Sequence, residues 1–148
     1  MLIIRDLSKT YANGVKALNK INLELEPGMF GLLGPNGAGK SSLMRTLATL
    51  QEPDEGTAML DDLDMLADKD KLRRVLGYLP QDFGVYPKLS PLLMLDHFAM
   101  LKGVVNKGER RELVDSLLHQ VNLYEVRKKS VDTFSGGMKQ RFGIAQAL

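Results

Sequence analysis

Apolar runs broken by Gly, Pro and Asn run through the first half of the chain and predict strands. Leu2-Ile3-Ile4-Arg5-Asp6-Leu7 is a short apolar run, and Asn13-Gly14 is a hairpin turn signal. From Leu18 to Leu25 the pattern alternates, with Ile21, Leu23 and Leu25 on one face and Asn22 and Glu24 on the other. Pro27-Gly28 ends that run. Met29-Phe30-Gly31-Leu32-Leu33 is apolar throughout, as in a strand buried on both faces. Leu43, Leu47 and Leu50 then recur at helical spacing, and Pro53 is expected to stop the helix. Thr57 to Leu60 reads as a strand and Asp61-Asp62-Leu63-Asp64 as a polar turn. Val75 to Leu79 reads as another buried strand, ended by Pro80.

From Ser90 onward the period turns helical. Ser90-Pro91 is a cap with proline in the first turn, and Leu92, Leu95, Phe98 and Met100–Leu101 form the expected buried stripe. A loop is expected over Gly103–Gly108, then a helix from Glu109 to Val121 burying Leu113, Leu117 and Val121. Ser135-Gly136-Gly137 leads into a third helical stretch. The change of period near Gln81 implies a helical subdomain set after a sheet-based core.

Composition excludes more than it selects. The chain has 148 residues, a formal net charge of +2 and no cysteine. Disulfides and thiol chemistry are excluded, and no whole-chain charge argument favours nucleic acid, which is not expected as a partner. The N-terminus meets charge at Arg5-Asp6, too early for a signal peptide. No apolar run approaches the roughly 20 residues that span a bilayer. Any membrane role is therefore expected to come through a partner.

Candidate chemistry centres on Gly34-Pro35-Asn36-Gly37-Ala38-Gly39-Lys40-Ser41, which fits the phosphate-binding pattern G-x-x-x-x-G-K-[ST]. Glycines let the backbone curl so that successive N–H groups face phosphate oxygens. The helix that follows adds its positive N-terminus, which also places Ser42 at the site. Lys40 is expected to reach the β- and γ-phosphates, and the Ser41 hydroxyl to coordinate Mg²⁺. The expected ligand is ATP.

Three further segments narrow the reading: Tyr11 in Lys9-Thr10-Tyr11-Ala12-Asn13-Gly14, Gln81 in Gly77-Tyr78-Leu79-Pro80-Gln81, and Phe134-Ser135-Gly136-Gly137-Met138-Lys139-Gln140-Arg141. In this order they resemble the aromatic A-loop, the Q-loop and the signature motif of ABC transporter ATPases. The resemblance covers essentially the whole chain. It implies an α/β fold of the P-loop NTPase type with an N-terminal antiparallel β element and an inserted helical subdomain. In those terms residues 1–81 are the nucleotide-binding core part, 82–134 the helical subdomain, and 135–148 the signature and the start of its helix.

The resemblance also implies roles. Tyr11 would stack on adenine, and Gln81 would contact Mg²⁺ or the attacking water. Ser135, Gly136 and Gly137 would grip the γ-phosphate held by a second ATPase subunit in a head-to-tail dimer. Tyr11 alone reads as an aromatic packed beside a hairpin, and Ser135 alone as a helix N-cap. Met138 stands where the commonest signature has glutamine, and it cannot make amide hydrogen bonds. The implied function is ATP hydrolysis coupled to transport, at the inner face of a membrane, through a separate permease. Phe83, Tyr86 and Pro87 beside Gln81 would help form the permease groove. A second reading is a soluble ABC protein that clamps ribosomes or DNA, and a third is a non-catalytic nucleotide-binding fragment.

The Walker B strand with its Asp and Glu would follow the signature helix, and the chain stops at Leu148 within that helix. The sequence is therefore expected to be truncated, and the chain alone to bind ATP without turning it over. His97 and His119 lack metal-ligand spacing and read as packing or surface residues. Asp61, Asp62 and Asp64 read as a solvated turn, Arg127-Lys128-Lys129 as a solvated basic face, and the eight methionines as core fillers.

Overall fold

Alternation and the Asn-Gly turn produce a hairpin at the N-terminus of the computed structural model, which describes residues 1–81 and 88–147. Strand β1 (Leu2–Thr10) pairs antiparallel with β2 (Lys16–Leu25). The turn is closed by Tyr11 N donating to Val15 O at 2.9 Å and Gly14 N to Tyr11 O at 2.8 Å, with Gly14 at φ 82°. On its other edge β1 pairs antiparallel with β3 (Glu55–Leu60), which turns at Asp61-Asp62 into the two-residue β4 (Leu63–Asp64). The order of the four described strands is β2-β1-β3-β4.

The middle of β1 is bulged. Asp6 and Lys20 both take φ 48°, and the register shifts between Ile4 and Leu7 against β2 and between Arg5 and Ser8 against β3. The freed amides are caught by side chains: Asp6 N donates to Asn22 Oδ1 at 3.1 Å and Lys20 N to Ser8 Oγ at 3.1 Å. Such a bulge bends the ladder and increases its twist. Gly56 lies opposite, at φ 97°, where a Cβ would sit 2.6 Å from Arg5 O and Asp6 O.

Helix α1 (Lys40–Leu47) lies against this sheet. It stops at Leu47, well before Pro53. Thr49 adopts φ 59°, Thr49 N donates to Thr46 O, and Leu50 N to Arg45 O at 2.9 Å. That pair is a Schellman ending with threonine in the usual glycine position. Leu50 is accordingly exposed, while Leu43 is buried and Leu47 half-buried. Helix α2 (Lys69–Val75) has no counterpart in the sequence reading, because only Leu72 on it is buried and no apolar period marks it. Its alternating Asp and Lys from Asp68 to Lys71 are the signal that could have found it. Ile4, Leu7, Leu18, Leu43, Ala58, Met65 and Leu72 form the core of this first unit, which spans Met1–Leu76.

Two expected strands do not form. Met29 and Leu33 are 100% and 97% exposed, and none of the four described strands pairs with Met29–Leu33. An apolar run becomes a buried strand only when neighbours satisfy its N–H and C=O groups and cover its faces. Val75 closes α2 instead of opening a strand, and Leu76 to Pro80 joins no sheet.

The second unit, Gly77–Leu148, is helical. Helix α3 (Pro91–Leu101) is capped by Ser90, whose Oγ accepts from Leu93 N at 3.4 Å. It buries Pro91, Met94, Leu95 and Ala99. Leu92 and Phe98 are half-buried, and Met100 and Leu101 face outward, so the stripe is rotated from the expected one. Helix α4 (Lys107–Gln120) is capped by Asn106, whose Oδ1 accepts from Gly108 N at 2.8 Å. It buries Arg110, Val114 and Leu118, with Val121 just beyond, rather than Leu113 and Leu117.

Arg110 explains the shift. Its Nε donates to Asp96 Oδ1 at 2.7 Å, and its Nη1 to Val104 O and Val105 O at 3.1 Å each. One guanidinium thereby ties α3, the connecting loop and α4 together. Two short 3₁₀ turns, Tyr124–Val126 and Val131–Thr133, lead to α5 (Gly136–Ala147). Phe142 and Ala145 of α5 complete the core with Met94, Leu95, Val114, Leu118, Leu123 and Val131.

Candidate functional site

The glycine loop runs directly into α1, and its geometry follows from two residues with positive φ. Gly37 and Gly39 both sit at φ 85°, a region costly for any residue with a Cβ. Gly39 is also crowded, since a Cβ there would lie 2.2 Å from Ala17 O on β2. The loop is thus seated on the hairpin. Helix α1 begins with no side chain capping its first amides, so these N–H groups stay available to an anion. Lys40 Nζ donates to Gly34 O at 2.5 Å and to Pro35 O at 2.7 Å, folding the ammonium over the loop. Ala38 N donates to Pro35 O across the turn at Asn36-Gly37. Ser41 is exposed on the first turn, whereas Ser42 is buried.

Tyr11 belongs to the same site. Its hydroxyl lies 2.9 Å from Ser42 Oγ and donates to Gln51 Oε1 at 3.1 Å. The structure therefore brings Tyr11, the loop Gly34–Gly39, Lys40, Ser41 and Ser42 together within the first unit. Gln51, which the sequence reading did not single out, joins them.

Asp54 fixes the strand that leads into Tyr11. Its carboxylate accepts from Lys9 Nζ at 2.8 Å and from Thr10 N at 2.6 Å, and Asp54 N donates to Ser8 O at 2.8 Å. The hydrogen bond from Lys9, and then that from Thr10, holds this carboxyl below the ordinary aspartate value. A depressed acid stabilises the fold above its unfolded pKa and loses that contribution as pH falls through the folded value. The contribution should therefore be complete at neutral pH and fade below about pH 4. Thermal melts of wild type and Asp54→Asn check this: the variant should melt lower at neutral pH, and the gap should close in strong acid.

Gln81, Ser135, Gly136 and Gly137 lie in the second unit. Gln81 is exposed at a bend. The segment Asp82–Pro87, with its aromatics, lies outside the described residues. Ser135 is the N-cap expected from its type: Met138 N donates to its Oγ at 3.3 Å and Lys139 N to its carbonyl at 2.9 Å. Gly136 and Gly137 are exposed, and a Cβ on either would meet nothing within 4 Å. Glycine in a helix costs about 1 kcal/mol relative to alanine. Packing inside the chain gives no reason for that cost here. Met138 is half-buried against the helical core.

The discounted residues mostly fall as expected. His119 stacks on Tyr124 with ring centroids 3.8 Å apart. Arg127 lies over the same ring at 3.7 Å, so it packs rather than being solvated with Lys128 and Lys129. Asp64 Oδ1 accepts from Leu66 N and Ala67 N in a turn. Of the methionines, Met65 and Met94 fill cores, but Met29, Met44 and Met100 are exposed. Among the described residues no helix is long and apolar enough to cross a membrane.

A glycine loop seated on a sheet and opening a helix, with a lysine folded over it, defines a P-loop protein of the α/β class. Residues 18–148 match the family model described as ABC transporter, and the chain belongs to that family. It is 37% identical over 160 residues to the phosphonates import ATP-binding protein PhnC of Alcaligenes faecalis, an alignment covering 100% of this chain and 58% of that protein. It is 40% identical over 118 residues to the probable multidrug ABC transporter ATP-binding protein YbhF of Escherichia coli strain K12, covering 80% of this chain and 20% of that one. The ATP-binding cassette MJ0796 in a dimeric post-hydrolysis state bound to ADP and Pi superimposes with a TM-score of 0.84 at 30% identity, covering 100% of this chain and 69% of that chain. The chain thus spans about three fifths of the length of the PhnC relatives, 58% and 62% in two of them.

Proposed function

We propose that this chain binds ATP with Mg²⁺ and serves as the ATP-binding part of a transporter subunit that couples ATP hydrolysis to movement of a substrate across a membrane. The observation that carries the reading is the uncapped start of α1, reached through two positive-φ glycines, with the Lys40 ammonium over the loop. Such a site offers backbone N–H groups and a mobile cation to a polyphosphate. Phosphate oxygens, being anionic, compete well with the Gly34 and Pro35 carbonyls for Nζ.

The donor set fits a hard cation as well. Mg²⁺ takes oxygen ligands and usually keeps substrate phosphates and waters among them. The exposed Ser41 hydroxyl would hold it beside the phosphates, and Gln81 would contact it or the attacking water. Bound Mg²⁺ would neutralise charge developing on the transferred phosphoryl group. Tyr11 would offer its ring to adenine. Ser135, Gly136 and Gly137 would meet the γ-phosphate held by a second copy, head to tail. Two exposed glycines whose cost internal packing does not explain support that role, because they let a phosphate approach the backbone. The dimeric MJ0796 cassette and the names of the relatives support an ATPase dimer and a membrane permease as partners. The chain would then lie at the inner face of the membrane.

Titration of ATP into wild type and Lys40→Ala tests the reading. The variant should lose about 1.5–3 kcal/mol, roughly ten- to a hundredfold in affinity, because a charge-assisted contact is removed. Equal affinities would show that the loop does not take the phosphates.

A further inference from the structure

We infer that Gln51 is a positioning residue that fixes the Tyr11 ring on α1, so that affinity for the base depends on it while affinity for the phosphates does not. The inference rests on the nucleotide-binding reading and names a residue that neither the phosphate-loop pattern nor the aromatic position contains.

Gln51 lies just beyond the Schellman ending of α1 and folds back onto the first turn of that helix. Its Nε2 donates to Ser42 O at 3.0 Å and to Thr46 Oγ1 at 2.9 Å, and Thr46 Oγ1 donates in turn to Ser42 O at 2.9 Å. Its Oε1 accepts the Tyr11 hydroxyl at 3.1 Å. The amide cannot be turned over, because its oxygen would then face the Ser42 carbonyl, which has no proton to give. One side-chain amide is thus used at both ends, its nitrogen on α1 and its oxygen on Tyr11.

That orientation sets the direction of every proton in the chain. The phenol has a single proton and gives it to Gln51, so at Ser42 it must accept, and Ser42 Oγ donates to Tyr11 across 2.9 Å. The Tyr11 oxygen is therefore held from two sides by groups that belong to, or are anchored on, the first turn of α1. Thr46 is 1% exposed and Ser42 8%, which keeps water from replacing these partners readily. The main chain at Tyr11 is fixed separately, by the turn from Tyr11 to Val15 and by the Asp54 contacts to Lys9 and Thr10. With backbone and hydroxyl both pinned, the ring has little freedom of tilt. The base platform is thereby preorganised relative to the helix whose N-terminus meets the phosphates.

The test is isothermal titration of the 148-residue chain with ATP and, separately, with inorganic tripolyphosphate. Gln51→Leu should weaken ATP about two- to tenfold, the worth of one neutral hydrogen bond, and leave tripolyphosphate within about twofold. Tyr11→Phe keeps the ring and every Gln51 bond to α1, so it disturbs folding least; it should show the same selective loss. The double variant should bind ATP no worse than Tyr11→Phe alone, since once the phenol hydroxyl is gone Gln51 has nothing left on that ring to hold. Equal loss of both ligands in Gln51→Leu, or ATP binding in Tyr11→Phe as tight as wild type or tighter, would overturn the proposal. Wild type that binds tripolyphosphate as well as ATP would instead remove the base platform itself. Wild type that binds neither would remove the nucleotide reading on which the proposal rests.

Discussion

Gly39→Ala should abolish nucleotide binding and destabilise the first unit by about 3 kcal/mol or more, the sum of left-handed strain and a backbone collision. Gly39 is the residue through which the loop enters α1, at φ 85° and ψ 0°. A methyl group there meets two penalties. The left-handed conformation itself costs a non-glycine residue about 1–2 kcal/mol. In addition the Cβ would stand 2.2 Å from the Ala17 carbonyl oxygen, which is backbone of a paired strand and cannot swing aside. The loop would have to lift from β2, moving its amides and Lys40 from their common focus. Gly37→Ala is the matched control. Gly37 has the same φ of 85° but nothing within 4 Å of its Cβ position, so only the conformational cost applies. Urea unfolding and ATP titration of the two variants should separate them clearly. Equal effects would mean that contact with the hairpin does not shape the loop.

Phe142→Ala should cost the helical unit about 3–5 kcal/mol, the usual range for emptying a buried aromatic site. Phe142 is 0% exposed and is the largest fully buried side chain described. It sits in the cluster with Met94 and Leu95 of α3, Val114 and Leu118 of α4, and Val131 of a 3₁₀ turn. Few of these can move to fill a phenyl-sized void, because α3 and α4 are also tied by Arg110. Domains are stable by only about 5–15 kcal/mol, so such a loss would leave this unit near its unfolding threshold. Ser135 caps the same helix, and its turn should fray with it. Hydrogen exchange should show faster opening of Gly136–Ala147 in Phe142→Ala and little change in Ile144→Ala, whose side chain is 46% exposed. An unchanged α5 in the first variant would refute the packing argument.

The parts legible in the sequence were those set by local chemistry. Asn13-Gly14 fixes a turn by backbone preference, and Ser90-Pro91 and Ser135-Gly136 mark helix starts by cap chemistry. The phosphate loop is legible for the same reason: its glycines and lysine are demanded at fixed spacing by backbone conformation and ligand charge. Nothing in these signals needs a distant partner to be read.

Elsewhere the tertiary structure decided. Helix α4 carries two adjacent apolar rows, and the row through Val114 and Leu118 is inside because Arg110 finds Asp96 and two loop carbonyls there. Helix α2 buries one leucine, too little to leave a period in the sequence. Met29–Leu33 has the composition of a central strand, yet strand formation depends on neighbours along its edges, and no described strand supplies them. Gln51 reads as an ordinary polar residue after a helix. Its role exists only because the chain reverses at Thr49 and returns its amide to Ser42. The sequence by itself therefore determined the loop, the caps and the family, which depend on residues close together in the chain. The helix faces, the sheet membership of apolar runs and the Tyr11 network depend on groups far apart in it, and packing alone settled them.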